Sequence, residues 1–202
     1  MLLTLPAAIA LAVLATPILS VLFERGAFGP TDTAATASAL AAYAAGLPAF
    51  VLIKVLAPAF FARHDTATPV KVAVAAMAVN LCLTLILMQF LAHVGIALAT
   101  TLAGWLNAVT LLALLIRRGH FGFDRRARRT LPRVGVAALG MGVVVALLRI
   151  ALAPVLTGHT VLQVGALAVL VCTGLAAFAA LALGLGIAEW RDLLGRRRRQ
   201  PA

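Results

Sequence analysis

The chain alternates long apolar runs with short polar breaks. Six of the runs approach or exceed the roughly 20 residues that a helix needs to cross a hydrocarbon core. They predict helices over Leu2–Phe23, Ala34–Ala62, Pro69–Leu91, Ile96–Ile116, Val134–Val155 and Val161–Ala188. No alternation of period two marks a strand. The expected fold class is an all-α integral membrane protein with six transmembrane helices. Prolines and small polar residues refine the boundaries. Pro6 falls in the first turns of its run, where it is cheap, and Pro17 falls inside it and predicts a kink. Pro48 and Pro58 predict bending of the second run, which is longer than one crossing requires. Thr31, Asp32 and Thr33 are N-cap candidates for that run, and Thr68-Pro69 reads as N-cap and first residue of the third. The connection His93-Val94-Gly95 is so short that the third and fourth helices must return antiparallel. Gly135, Gly140 and Gly142 would let the fifth approach a neighbour closely.

Composition supports the membrane reading. The 202 residues are 63% hydrophobic and 11% charged, with a mean hydropathy of +1.08. Soluble domains are about 45–50% apolar. The formal charge of +11 would suggest nucleic acid in a soluble chain. Here the basic residues cluster at the ends of apolar runs, and no nucleic-acid partner is expected. Six crossings put both termini on one side. That side receives fourteen of the 17 basic residues: Arg63, Lys71, seven arginines from Arg117 to Arg133 and five in the tail. Arg25 lies on the other side, and Lys54 and Arg149 lie within runs. The excess makes the first side, with both termini, cytoplasmic. The same clusters suit anionic membrane lipids, at about 1 kcal/mol per basic residue near the surface.

The N-terminal run lacks the basic flank of a secretory signal. It reads as a transmembrane helix whose upstream sequence is absent. Cys82 and Cys172 lie deep in apolar runs and are expected as buried free thiols without metal-ligand spacing. No nucleophile–base pair, metal motif or phosphate loop is present, so a transporter rather than an enzyme is expected, with no metal site.

Candidate residues follow from charge in apolar surroundings. Lys54 sits well inside the second run, and a lysine there faces protein or water rather than lipid. It serves either an anionic headgroup or ion pair, or packing alone. Arg63, Asp65 and Lys71 surround the polar turn after that run. They are candidates for a gate contact, with capping and topology signalling as the plainer reading. Glu24, Arg25 and Asp32 stand in the same position at the other side. Asn80 and Thr84 are four apart on one helical face, and with Thr100 and Thr101 could offer oxygens to a cation. Interhelical hydrogen bonds are the alternative. His93 and Asn107 read as turn and packing residues.

The central stretch carries a resemblance. LFERGAF at 22–28, Asp32-Thr33, AYAAGLPAFVLIKVLAPAFFAR at 42–63, DTATPVK at 65–71, HVGIALA at 93–99 and WLNA at 105–108 are similar to the second half of MurJ (MviN) proteins. These are lipid II flippases of the MOP exporter superfamily. The resemblance is specific over residues 1–118 and rests beyond that on helix count and the basic loop. It implies a fold of fourteen helices, of which this chain resembles helices nine to fourteen. Residues 1–118 would be the last four helices of the second transport lobe. Residues 119–202 would hold the basic cytoplasmic loop, two additional helices forming a groove for a lipid tail, and the basic tail. The implied function is that of a C-terminal fragment of a flippase moving the lipid-linked peptidoglycan precursor across the bacterial cytoplasmic membrane for cell-wall synthesis. The N-terminal lobe would then be a missing partner. Other superfamily exporters, of drugs or polysaccharide lipids, and an inactive truncated remnant are the alternatives. No cofactor is implied, and a monovalent cation or the membrane potential is the candidate for coupling.

Overall fold

The computed structural model describes residues 2–119, 125–156 and 160–186, all as helices and short turns. The order is α1 (Thr4–Phe23), α2 (Pro30–Ala44), α3 (Leu47–Phe61), α4 (Ala67–Arg117), α5 (Arg125–Ala151), α6 (Ala153–Leu156) and α7 (Thr160–Gly184). Among the described residues five helical stretches are long and apolar enough to cross a membrane, with α2 and α3 together forming one of them.

The second apolar run is two helices. The break falls at Ala45-Gly46, ahead of Pro48, rather than at the prolines. Pro48 occupies the first turn of α3, where its missing N–H costs nothing. Pro58 lies inside α3 without ending it. The α2 boundary also differs from expectation. Gly29 is the N-cap and Pro30 the first residue, and the Asp32 carboxylate accepts the Gly29 N–H at 3.0 Å. Thr33 is instead buried, and its hydroxyl donates to Glu24 at 3.1 Å.

The third and fourth runs form one 51-residue helix, α4, interrupted at Ala92 (φ 46°, ψ −126°). Unbroken, it would extend about 75 Å, more than twice a hydrocarbon core. It folds back instead. A Cβ on Gly95 would lie 2.4 Å from the Leu87 carbonyl oxygen, so only glycine fits the reversal. Val72 of the first arm packs against the cluster that holds Leu111 and Leu115 of the second. The expected antiparallel pair is present, with its turn one residue before His93.

Three further boundaries shift. The α4 helix begins at Ala67, so Pro69 is not its first residue and Thr68 is not its cap. The α5 helix begins at Arg125, inside the stretch expected as a basic loop, and continues through Pro132. The α7 helix ends at Gly184, and the Thr157–His159 turn and the tail from residue 187 lie outside the described residues.

Packing centres on α1. Ala15 and Leu19 meet Ala37 of α2. A different face, with Leu14, meets Met141 and Val145 of α5 and Leu170 of α7. A third cluster joins Leu56 and Phe60 of α3 to Leu111 and Leu115 of α4. Glycines serve two of these seams: Gly142 lies against Ile9 and Gly140 against Leu181, while a Cβ added at Gly135 would meet no described neighbour within 4 Å. Cys82 and Cys172 are free as expected, but exposed on the helix surfaces rather than buried.

Candidate functional site

The turn between α3 and α4 is built from the end of one helix and the start of the next. His64 adopts a left-handed conformation (φ 59°). The His64 N–H then donates to Phe61 and the Asp65 N–H to Phe60, both carbonyls at the end of α3. This is a Schellman arrangement with histidine where glycine is usual. It delivers Asp65 to the start of α4. There its carboxylate accepts the Thr68 N–H at 3.0 Å and the Thr68 hydroxyl at 2.7 Å.

Arg118, just past the far end of α4, closes the cluster. Its guanidinium pairs with Asp65, donates to the Thr68 hydroxyl at 3.1 Å and lies 5.7 Å from the centre of the Phe60 ring. The Thr68 hydroxyl, the Arg118 guanidinium and the Thr68 backbone N–H, in that order, hold the Asp65 carboxyl well below the usual carboxylate range. The Arg63 and Lys71 side chains are exposed and make no hydrogen bond or ion pair with a described residue. Of the three residues expected at this turn, the structure therefore engages Asp65. Its partner, Arg118, was legible only as one member of a basic cluster.

The α2–α3 break is sealed from α4. The Thr101 hydroxyl, buried, donates to the Ala42 carbonyl at 2.8 Å, and the Trp105 indole N–H donates to Ala45 at 2.9 Å. These satisfy carbonyls that the end of α2 leaves open. Gly46 lets the chain pass Thr101, whose hydroxyl would be 2.9 Å from an added Cβ. Gly104 likewise makes room for the Phe50 ring.

Lys54 lies on the exposed face of α3 with Val55, Pro58 and Phe61. Its side chain makes no hydrogen bond or ion pair with a described residue. Pro58, four residues later, also removes the N–H that would bond the Lys54 carbonyl. On the first arm of α4 the Thr84 hydroxyl meets the Asn80 side-chain oxygen at 3.4 Å, beside an open hollow lined by Val74, Met77 and Leu81. On the second arm the Thr100 hydroxyl donates back to the Ile96 carbonyl at 3.0 Å. Between the arms, Asn107 holds a buried side-chain oxygen with no donor among the described residues.

A groove of about 260 Å³ runs between α1, α5 and α7. Its lining is apolar throughout and includes Ala10, Leu14, Met141, Val145, Leu170 and Phe178. At one end Arg149 of α5 crosses to α1 and donates to the Val13 carbonyl at 2.9 Å.

Known proteins are similar to this sequence. A family model described as "Lipid II flippase MurJ" matches residues 1–166, which takes in α1 to α6 and the start of α7. The chain belongs to the MurJ family. A probable lipid II flippase MurJ of Rhizobium tropici is 42% identical over 205 residues, covering 99% of this chain. One of Rhizobium meliloti (strain 1021) is 45% identical over 186 residues, covering 91%. One of Rickettsia prowazekii (strain Madrid E) is 36% identical over 149 residues, covering 74%. The chain spans 38%, 35% and 29% of the lengths of these three relatives. The MurJ match extends past residue 118, where recognisable motifs end, and so includes all of α5. Family and apolar helices together make this a multi-pass protein of the bacterial inner membrane.

Proposed function

We propose that this chain supplies the C-terminal part of a lipid II flippase, corresponding to helices nine to fourteen, and is a transporter part rather than an enzyme. Its substrate is the lipid-linked peptidoglycan precursor. Its partner is the transport lobe represented in the remaining length of its relatives. Lys54 carries the reading. A lysine on an exposed face of a membrane helix, without a side-chain partner among the described residues, needs protein or water beside it. A second lobe across a water-filled cavity supplies both, and the anionic headgroup supplies the countercharge. The apolar groove between α1, α5 and α7 suits a prenyl tail. Arg63, Asp65 and Lys71 stand at the end of the same helix hairpin as gate candidates, Asn80, Thr84 and Thr100 as oxygens for a coupling cation. The basic clusters support a cytoplasmic position for both termini and suit anionic lipids.

The test is a chimera in which this chain replaces the matching part of the Rhizobium tropici flippase, expressed in cells depleted of their own flippase. Growth rescue supports the assignment. Lys54→Met should abolish rescue at normal membrane abundance, and Lys54→Arg should keep part of it, because charge is retained while geometry changes. Full rescue by Lys54→Met at normal abundance would remove Lys54 from the mechanism. The 202 residues expressed alone should give no rescue, since alternating access needs two lobes.

A further inference from the structure

We infer that Pro17 and Arg149 form a paired positioning device that fixes the register of α1 against α5 inside the membrane, so that α1, α5 and α7 move as one body. Pro17 lies inside α1 and has no N–H, which takes the helical partner from the carbonyl four residues earlier. That carbonyl belongs to Val13, near the middle of a 20-residue apolar helix and about 15 Å from either end. Lipid offers no donor at such a depth, so a freed backbone carbonyl there is met from neighbouring helices or ordered water.

Arg149 supplies it at 2.9 Å, across 136 residues of sequence. Helical side chains lean toward the start of their own helix. The guanidinium therefore reaches inward from near the end of α5 rather than outward to the headgroups. No carboxylate pairs with it among the described residues. A cation this deep is tolerated when it faces protein and bonds a backbone carbonyl.

A second contact fixes the same seam at another height. Gly142 sits so close to α1 that an added Cβ would be 2.5 Å from the Ile9 side chain. Leu14, Met141 and Val145 fill the space between the two points. Sliding α1 against α5 would break the polar contact and drive Ile9 into a bulkier part of the helix. Meanwhile Gly174 of α7 lies against Val145, which ties α7 to the same pair.

The test is a double-mutant cycle on the full chain in lipid nanodiscs, reading the half-life of the folded state at one elevated temperature. Arg149→Met should shorten that half-life at least fivefold, because it strands the Val13 carbonyl. Pro17→Ala returns an N–H to that carbonyl, so adding Arg149→Met to Pro17→Ala should cost less than twofold. Equal losses in both backgrounds would overturn the pairing. If Arg149→Met alone fails to accumulate, recovery of its abundance on adding Pro17→Ala supports the proposal, and no recovery overturns it.

Discussion

Arg118 reaches back across 53 residues to the carboxylate of Asp65 and so ties the two ends of the α4 hairpin together. The same carboxylate caps the start of α4 through Thr68. Asp65→Asn should therefore lower the melting temperature in detergent at neutral pH. The folded-state pKa of Asp65 is depressed. Its contribution is thus fully present above the unfolded carboxylate pKa of about 3.9 and is lost as pH falls through the lower folded value. Melting curves of wild type and Asp65→Asn should differ by a constant amount from pH 8 down to about 5 and converge only in stronger acid. Convergence near pH 6 would assign the effect to another group.

The reversal of α4 stores strain at Ala92, a non-glycine at φ 46°. Ala92→Gly should stabilise the hairpin by on the order of 1 kcal/mol, net of the entropy that glycine brings to the unfolded chain. Gly95→Ala should do the opposite, since its Cβ has no space beside Leu87. Melting temperatures of the two variants should move in opposite directions.

Thr101 and Trp105 hold the α2–α3 break shut. Thr101→Val removes the donor to Ala42 and should cost about 0.6–2 kcal/mol, the range of interhelical bonds in membranes. Trp105→Phe should cost a similar amount through Ala45. Together they should raise hydrogen exchange at Gly46–Phe50 while leaving α7 unchanged.

Orientation is open to cysteine labelling. With Cys82 and Cys172 replaced, a cysteine at Gly29 should react with an impermeant reagent on intact cells and one at Arg126 should not. The reverse pattern would invert the protein in the membrane.

The helices were legible because apolar runs of crossing length admit few other structures. The antiparallel turn before Gly95 was legible because three residues cannot span a bilayer. The break at Ala45-Gly46 was not, since the prolines drew attention downstream, although Pro48 in a helix's first turn marks a start just before it. His64 gave a faint signal, as histidine is enriched among residues with positive φ. The Asp65–Arg118 pair could not be read, because Arg118 looked like any other member of a basic cluster and its partner is set by tertiary folding. Lys54 was legible as an expensive charge, but no side-chain partner for it stands among the described residues. The acceptor of Arg149 is a backbone atom, for which Pro17 was the one hint.

The Val13 carbonyl also sets a timetable. Its donor is synthesised 136 residues later. At about 5–20 residues per second, roughly 7–27 s pass between the two events. Through that interval α1 stands in the bilayer, or waits beside the insertion machinery, with its central carbonyl unmet. Of the described helices α1 is therefore made first yet is among the last to be finished, and a chain cut short before α5 would leave it that way.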